Sequence, residues 1–169
     1  MKRFLGSAAI IGTLVALPAA SIMPSTSTAG WSLAAVSSSE KQAVNSWVNQ
    51  HGIIFHQLRE RFQKALSDFD PFRPGATGHL PQDCAALQVT IGRAQDLPAI
   101  PVPSVQSDWM HAISSLSTGT SDCAKWASSS GFWAKAKEAS KAEFYWAKGG
   151  AELTLVAADL MRIADRSSL

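Results

Sequence analysis

Between positions 44 and 69, apolar residues and one histidine return every three or four positions: Val44, Trp47, Val48, His51, Ile54, Phe55, Leu58, Phe62, Leu66 and Phe69. At 100° per residue they share one face, and Arg61, Lys64 and Asp68 fall outside it, which predicts an amphipathic helix. Ser39-Glu40-Lys41-Gln42 places its start near Ser39, because a Gln three residues after a capping Ser can reach back to the cap N–H. Asp70-Pro71 and Pro74-Gly75 end it. Pro81 suits the first turn of a second, shorter helix, with Leu80, Cys84, Leu87, Ile91 and Ala94 on its stripe. Three prolines within 97–103 exclude a helix there and predict extended chain.

A third helix is expected from about Ser104. Its stripe is Val105, Trp109, Ala112, Ile113, Leu116, Thr120, Cys123 and Ala127. Gly119 within it costs about 1 kcal/mol relative to Ala and predicts a local bend. Ser128 to Gly131 closes that helix. A fourth helix is expected over 132–164, with Ala139, Ala142, Trp146, Leu153, Val156, Ala157, Leu160 and Ala164 on one face. Lys137, Lys141, Lys148, Glu152 and Asp159 lie opposite, and Gly149-Gly150 predicts a kink or a point of thin packing. Four helices with one apolar stripe each must bury those stripes against one another. The expected fold is all-α, a four-helix up-and-down bundle over residues 39–165.

The chain has 169 residues, and its beginning follows a different pattern from the bundle. Met1-Lys2-Arg3 is positive, 4–20 carries no charge, and Ser25-Thr26-Ser27-Thr28-Ala29 is polar and small. That layout predicts a signal peptide over 1–29, with Ser27 and Ala29 as the cleavage pair, followed by a flexible linker over 30–38. The apolar run is close to the ~20 residues of a membrane span, so an uncleaved anchor is the alternative. Pro18 and the small residues after it favour cleavage, and no cysteine follows the run to carry a lipid. Cleavage also changes the charge. Lys2 and Arg3 would leave with the leader, taking 15 basic residues to 13, equal to the 13 acidic ones. Net charge therefore gives no support to nucleic-acid binding.

Cys84 and Cys123 are the two cysteines. In an exported chain an even count reads as a disulfide, here joining helices two and three. Without histidines at ligand spacing they make a poor zinc site. At about 1.5 Å per residue, Cys84 lies ~18 Å from the end of its helix and Cys123 ~28 Å from the start of its own. The extended proline segment, at about 3.1 Å per residue, offsets the two helices by ~10 Å and brings the sulfurs level.

Asp83-Cys84, then Pro101-x-Pro103, Trp109, Ile113, Leu116 and Asp122-Cys123, resembles small exported all-helical proteins of actinobacteria, of mycobacterial type. The resemblance covers about 80–165. It implies a secreted or cell-envelope location and a paired-cysteine bundle, and it carries over no activity and no catalytic residues.

Several side chains are candidates for chemistry. His51, on the first stripe, would be a haem or metal ligand if the bundle held one; without partner ligands it reads as a core or interfacial histidine. His56 faces elsewhere, His79 falls in a loop, and His111 projects outward. Glu143 falls on the wheel among Phe132, Ala136, Ala139 and Met161, where a carboxylate would sit at a binding site or at the stripe's edge. Lys125, Lys135, Lys137, Lys141 and Lys148 accompany Trp126, Trp133 and Trp146. That combination reads as a solvated face beside core tryptophans, or as a surface for anionic lipid or polymer. Trp47 and Trp109 read as core, and Trp31 precedes the first helix. No Gly-x-Ser-x-Gly elbow, phosphate-cradling loop or dinucleotide fingerprint is present. The expectation is a non-catalytic exported bundle without cofactor that binds a protein or envelope component, with peripheral membrane contact as one form of that binding. A carrier of haem or lipid, with its ligand between the helices near His51, is the alternative.

Overall fold

The computed structural model describes residues 36–69 and 79–165. The expected leader over 1–29, Trp31, most of the linker, and the stop signals Asp70-Pro71 and Pro74-Gly75 lie outside the described residues. Four helices and no strand are present among the described residues: α1 Ser38–Asp68, α2 Leu80–Gln95, α3 Pro103–Ser128 and α4 Phe132–Ala164. Each packs antiparallel to its chain neighbour, and α4 closes back on α1, which makes an up-and-down four-helix bundle. Of the four interfaces between neighbouring helices, α3–α4 is the most extensive and α1–α4 the thinnest.

The buried residues follow a 3.5-residue period rather than the 3.6 of a straight helix. Along α1 the seam runs Val44, Val48, His51, Phe55, Leu58, Phe62, Ala65 and Phe69, with His51 half-buried and the others buried. In α2 it is Leu80, Cys84, Leu87, Ile91 and Ala94. In α3 it is Val105, Trp109, Ala112, Leu116, Gly119, Cys123 and Trp126. In α4 it is Ala139, Ala142, Trp146, Gly149, Leu153, Val156, Leu160 and Ile163. Steps of three and four alternate throughout. A seam of this period drifts about 20° per heptad around an ideal helix and requires the helices to wind left-handedly about one another.

That drift corrects one expectation. Leu66, placed on the stripe at 100° per residue, is 47 % exposed, and Ala65 takes the seam position instead. The start of α1 also differs. Its cap is Ser37, not Ser39: Glu40 N donates to Ser37 Oγ at 3.2 Å and Ser37 N donates to Glu40 Oε2 at 2.9 Å. The acidic partner wins because a carboxylate in the first turn also meets the positive end of the helix dipole, which the Gln42 amide does not. These contacts hold the Glu40 carboxyl below its usual range, the Ser37 hydroxyl contributing most.

The glycines act by size. A Cβ on Gly119 would stand 2.5 Å from Cδ1 of Trp146, and one on Gly149 would stand 2.9 Å from Cγ of Leu116. Helix α3 gives its glycine to a tryptophan of α4, and α4 gives its glycine to a leucine of α3. Both helices continue through these positions, so close packing takes the place of the expected bend at Gly119. The Trp146 indole N–H donates to Thr120 Oγ1 at 3.2 Å, and that hydroxyl donates to the Leu116 carbonyl at 2.7 Å. Gly150 makes room in the same way for Phe62 of α1.

The α2–α3 connection is pinned at both sides. Trp47 Nε1 donates to the Pro98 carbonyl at 2.9 Å, and the Ile100 N–H donates to Gln106 Oε1 at 2.7 Å. Ile100 and Val102 are buried there. Cys84 and Cys123 form the disulfide between α2 and α3, with Cα atoms 6.4 Å apart. It closes a loop with a sequence separation of 39, which in the chain-entropy account stabilises the fold by about 4 kcal/mol.

Three outcomes follow. Gly119→Ala should lower stability by about 1–3 kcal/mol, because the Trp146 ring has to move. Gly92→Ala, whose Cβ meets nothing within 4 Å, should raise it by about 0.5–1 kcal/mol through helix propensity. Equal effects of the two substitutions in denaturant unfolding would contradict the packing role of Gly119. Replacing both cysteines with alanine should cost about 3–4 kcal/mol in the same measurement.

Candidate functional site

The residues singled out from the sequence separate into three places. Cys84 and Cys123 are buried structural partners. His51 is half-buried, its ring centroid 5.4 Å from that of Trp47. Among the described residues no group of three or more His, Cys, Asp or Glu is placed to hold a metal. The remaining candidates are on α4, and there the structure divides them.

Trp146, expected as part of a surface, is fully buried. It occupies the seam against Gly119 and meets the rings of Phe69 and Phe62 edge-on, at 5.1 and 6.4 Å. Glu143, expected among apolar neighbours, is exposed, because the seam steps from Ala142 to Trp146 and leaves it one residue outside. Trp126 is buried as well, with the Lys135 ammonium 5.4 Å from its ring centroid. Its indole N–H has no hydrogen-bond partner among the described residues.

Trp133, Lys137 and Lys141 do share the outward face of α4, and two large apolar residues that the sequence reading missed join them. Trp133 is 83 % exposed, Phe144 64 % and Leu155 60 %. They are spaced 11 residues apart, so successive members advance about 20° around the helix and lie on one line about 33 Å long. Lys148 and Arg162 lie along the same line. The recurrence of a large apolar residue every 11 positions, on the side away from the seam, was the signal available in the sequence. Lys141 donates to both oxygens of Glu138 at 3.2 and 3.3 Å. Arg162 pairs with Asp159, and Glu152 turns inward to accept from Ser115 Oγ of α3 at 3.3 Å. Lys137 and Lys148 make no ion pair among the described residues.

Two grooves flank α1. One, of about 400 Å³ against α2, is polar and lined by Gln57, Glu60, Arg61, Lys64, Thr90 and Arg93. The other, of about 220 Å³ against α4, includes Arg59, Phe62, Gly150, Leu153 and Met161 in its lining. His51 lines neither.

Each disulfide cysteine is preceded by a buried aspartate. Lys64 of α1 bridges to Asp83 at 3.0 Å and to Asp68 at 2.8 Å, and Lys125 meets Asp122 at 2.7 Å. The hydrogen bond from Lys64, followed by contact with Asp83, holds the Asp68 carboxyl below its usual range. Asp68 and then Asp83 raise Lys64, and Asp122 raises Lys125. The lowered carboxyl stabilises the fold above the ordinary carboxylate range, and that contribution is lost as pH falls through its folded-state value. The raised ammonium stabilises below the ordinary lysine range and is lost as pH rises through its own folded-state value.

Lys64→Met leaves Asp83 buried without its cation. The variant should unfold at a lower denaturant midpoint than wild type at pH 7. The gap should narrow as pH falls below the ordinary carboxylate range and through the lowered folded-state value of Asp68, where the wild type loses its hydrogen bond with Lys64. A gap that stays constant with pH would reject the bridge as the cause.

No family model, no curated protein and no solved structure matches this chain.

Proposed function

We propose that this protein works outside the cytoplasm as a non-catalytic bundle that binds a cell-envelope component through the outward face of α4. The observation that carries the reading is the line of Trp133, Phe144 and Leu155, solvent-exposed on a helix whose opposite side already fills the core. Large apolar side chains that recur along one outward line, with lysines between them, are the pattern of a helix that lies on an interface. The disulfide supports an oxidising, extracytoplasmic compartment. The leader pattern over 1–29, and the charge balance left when Lys2 and Arg3 are removed, support secretion or retention in the envelope. Among the described residues no helix is long and apolar enough to cross a membrane.

The triple variant Trp133→Ser, Phe144→Ser, Leu155→Ser removes the surface without touching the seams. It should bind the isolated envelope fraction of the producing cell at least about tenfold more weakly than wild type, given the apolar area removed from the contact. Its thermal midpoint should stay close to that of the wild type. Undiminished binding would reject α4 as the binding face.

A further inference from the structure

We propose that the envelope component is the anionic surface of a lipid bilayer, with α4 lying along it. The inference rests on the reading of α4 as the binding face and names what that face meets.

Three features of the face favour a lipid surface. The first is shape. Trp133, Phe144 and Leu155 stand on the crest of one helix and not in a groove, so they form a convex line about 33 Å long. A bilayer interface accepts such a line anywhere along its plane, whereas a protein partner has to supply a matching trough.

The second is charge. The outward cations are Lys137, Lys141, Lys148 and Arg162, interleaved with the apolar line. Lys141 and Arg162 are offset by Glu138 and Asp159, and Glu152 turns inward to accept from Ser115 of α3, which leaves Lys137 and Lys148 as the cations of the face without an ion pair among the described residues. Glu143 is exposed but lies about 100° around the helix from Phe144, off the contact line. Lys137 and Lys148, which make no ion pair among the described residues, can reach headgroup phosphates with their ammonium groups while their stems lie over apolar surface.

The third is the identity of the apolar residues. A tryptophan leads the line, and its ring pairs an apolar body with an N–H donor, the combination that suits the boundary between headgroups and acyl chains.

A second copy of the chain fits less well. An antiparallel pair registered on Phe144 would set Trp133 of one copy against Leu155 of the other. In that register Lys141 falls opposite Ala147 and Lys148 opposite Ser140, so these two like charges come within one residue of each other beside the contact.

The test uses the full chain with its disulfide intact, compared with variants that have the same N-terminus, so that any leader contributes equally to all of them. Wild type should sediment with phosphatidylcholine vesicles containing about a third phosphatidylglycerol at least ~10-fold more strongly than with phosphatidylcholine alone, and raising the salt to about 0.5 M should remove most of the difference. Lys137→Glu with Lys148→Glu should reduce binding to the anionic vesicles by about tenfold or more without moving the thermal midpoint. The emission shielded from aqueous iodide when vesicles are added should be smaller in Trp133→Phe than in wild type, since Trp47, Trp109, Trp126 and Trp146 are buried already and Trp31 is common to both chains.

Vesicle binding equal for wild type and the charge variant would overturn the proposal. Loss of envelope-fraction binding in the serine variant, with no wild-type binding to anionic vesicles, would leave α4 as the binding face and remove lipid as its partner. A doubled mass in solution that the serine variant lacks, again without vesicle binding, would assign the face to a second copy. Absence of binding to both envelope fraction and vesicles would reject the proposal together with the reading beneath it.

Discussion

Where α3 meets α4, each helix offers a glycine to a large side chain of the other, and the rest of the bundle is arranged around that exchange. Trp146 sits against Gly119, and Leu116 sits against Gly149. Any side chain at either glycine would hold the two backbones apart. The close approach makes α3–α4 the most extensive interface, and it fixes the depth at which the Trp146 ring reaches Phe62 and Phe69 of α1. The other seams keep the same 3.5-residue period because helices wound around a common axis share one superhelical geometry.

The opposite side of the bundle is held by different means. Helix α2 is short, and its seam offers only five residues to the core. The disulfide to α3 compensates by limiting the unfolded chain. The buried carboxylates beside it, Asp83 and Asp122, are each met by a lysine, which avoids leaving a charge in low dielectric without a partner. Lys64 reaches from α1 to α2, so one ammonium ties two helices near the covalent link. The Asp-Cys pairs at 83–84 and 122–123 thus repeat one local solution: the cysteine enters the seam and the preceding aspartate lies at its edge, within reach of a cation.

Helix α4 carries two periods. Its inner side advances by alternating threes and fours and fills the core. Its outer side advances by elevens and places Trp133, Phe144 and Leu155 in solvent. Folding accounts for the first pattern alone. Three large apolar residues aligned on the wet side add nothing to the seams, and the proposed binding face is built on them.

The amphipathic pattern was enough to give the number of helices, their limits to within two residues and the antiparallel order, and the even cysteine count in a chain expected to be exported gave the pairing of Cys84 with Cys123. These depend on local propensity, proline and glycine breaks, and the need to bury one stripe per helix, all of which are written along the chain. Trp47 and Trp109 were legible as core, and both are buried, whereas Trp146 stood both on a stripe and among the lysines, and its side was left open. Trp133 and Trp146 both stand on one helix among lysines, and only the course of the seam decides that one is buried and the other exposed. The same cause misplaced Leu66: a 100° step and a superhelical step differ by about 20° per heptad, and over four or more turns that moves a residue across the boundary between core and water. Glu143 was grouped with Phe132 and Ala136, which the seam leaves exposed and half-buried as well. The roles of Gly119 and Gly149 were likewise decided by tertiary structure, because a glycine in a helix reads as a weak point until the side chain that needs its space is known.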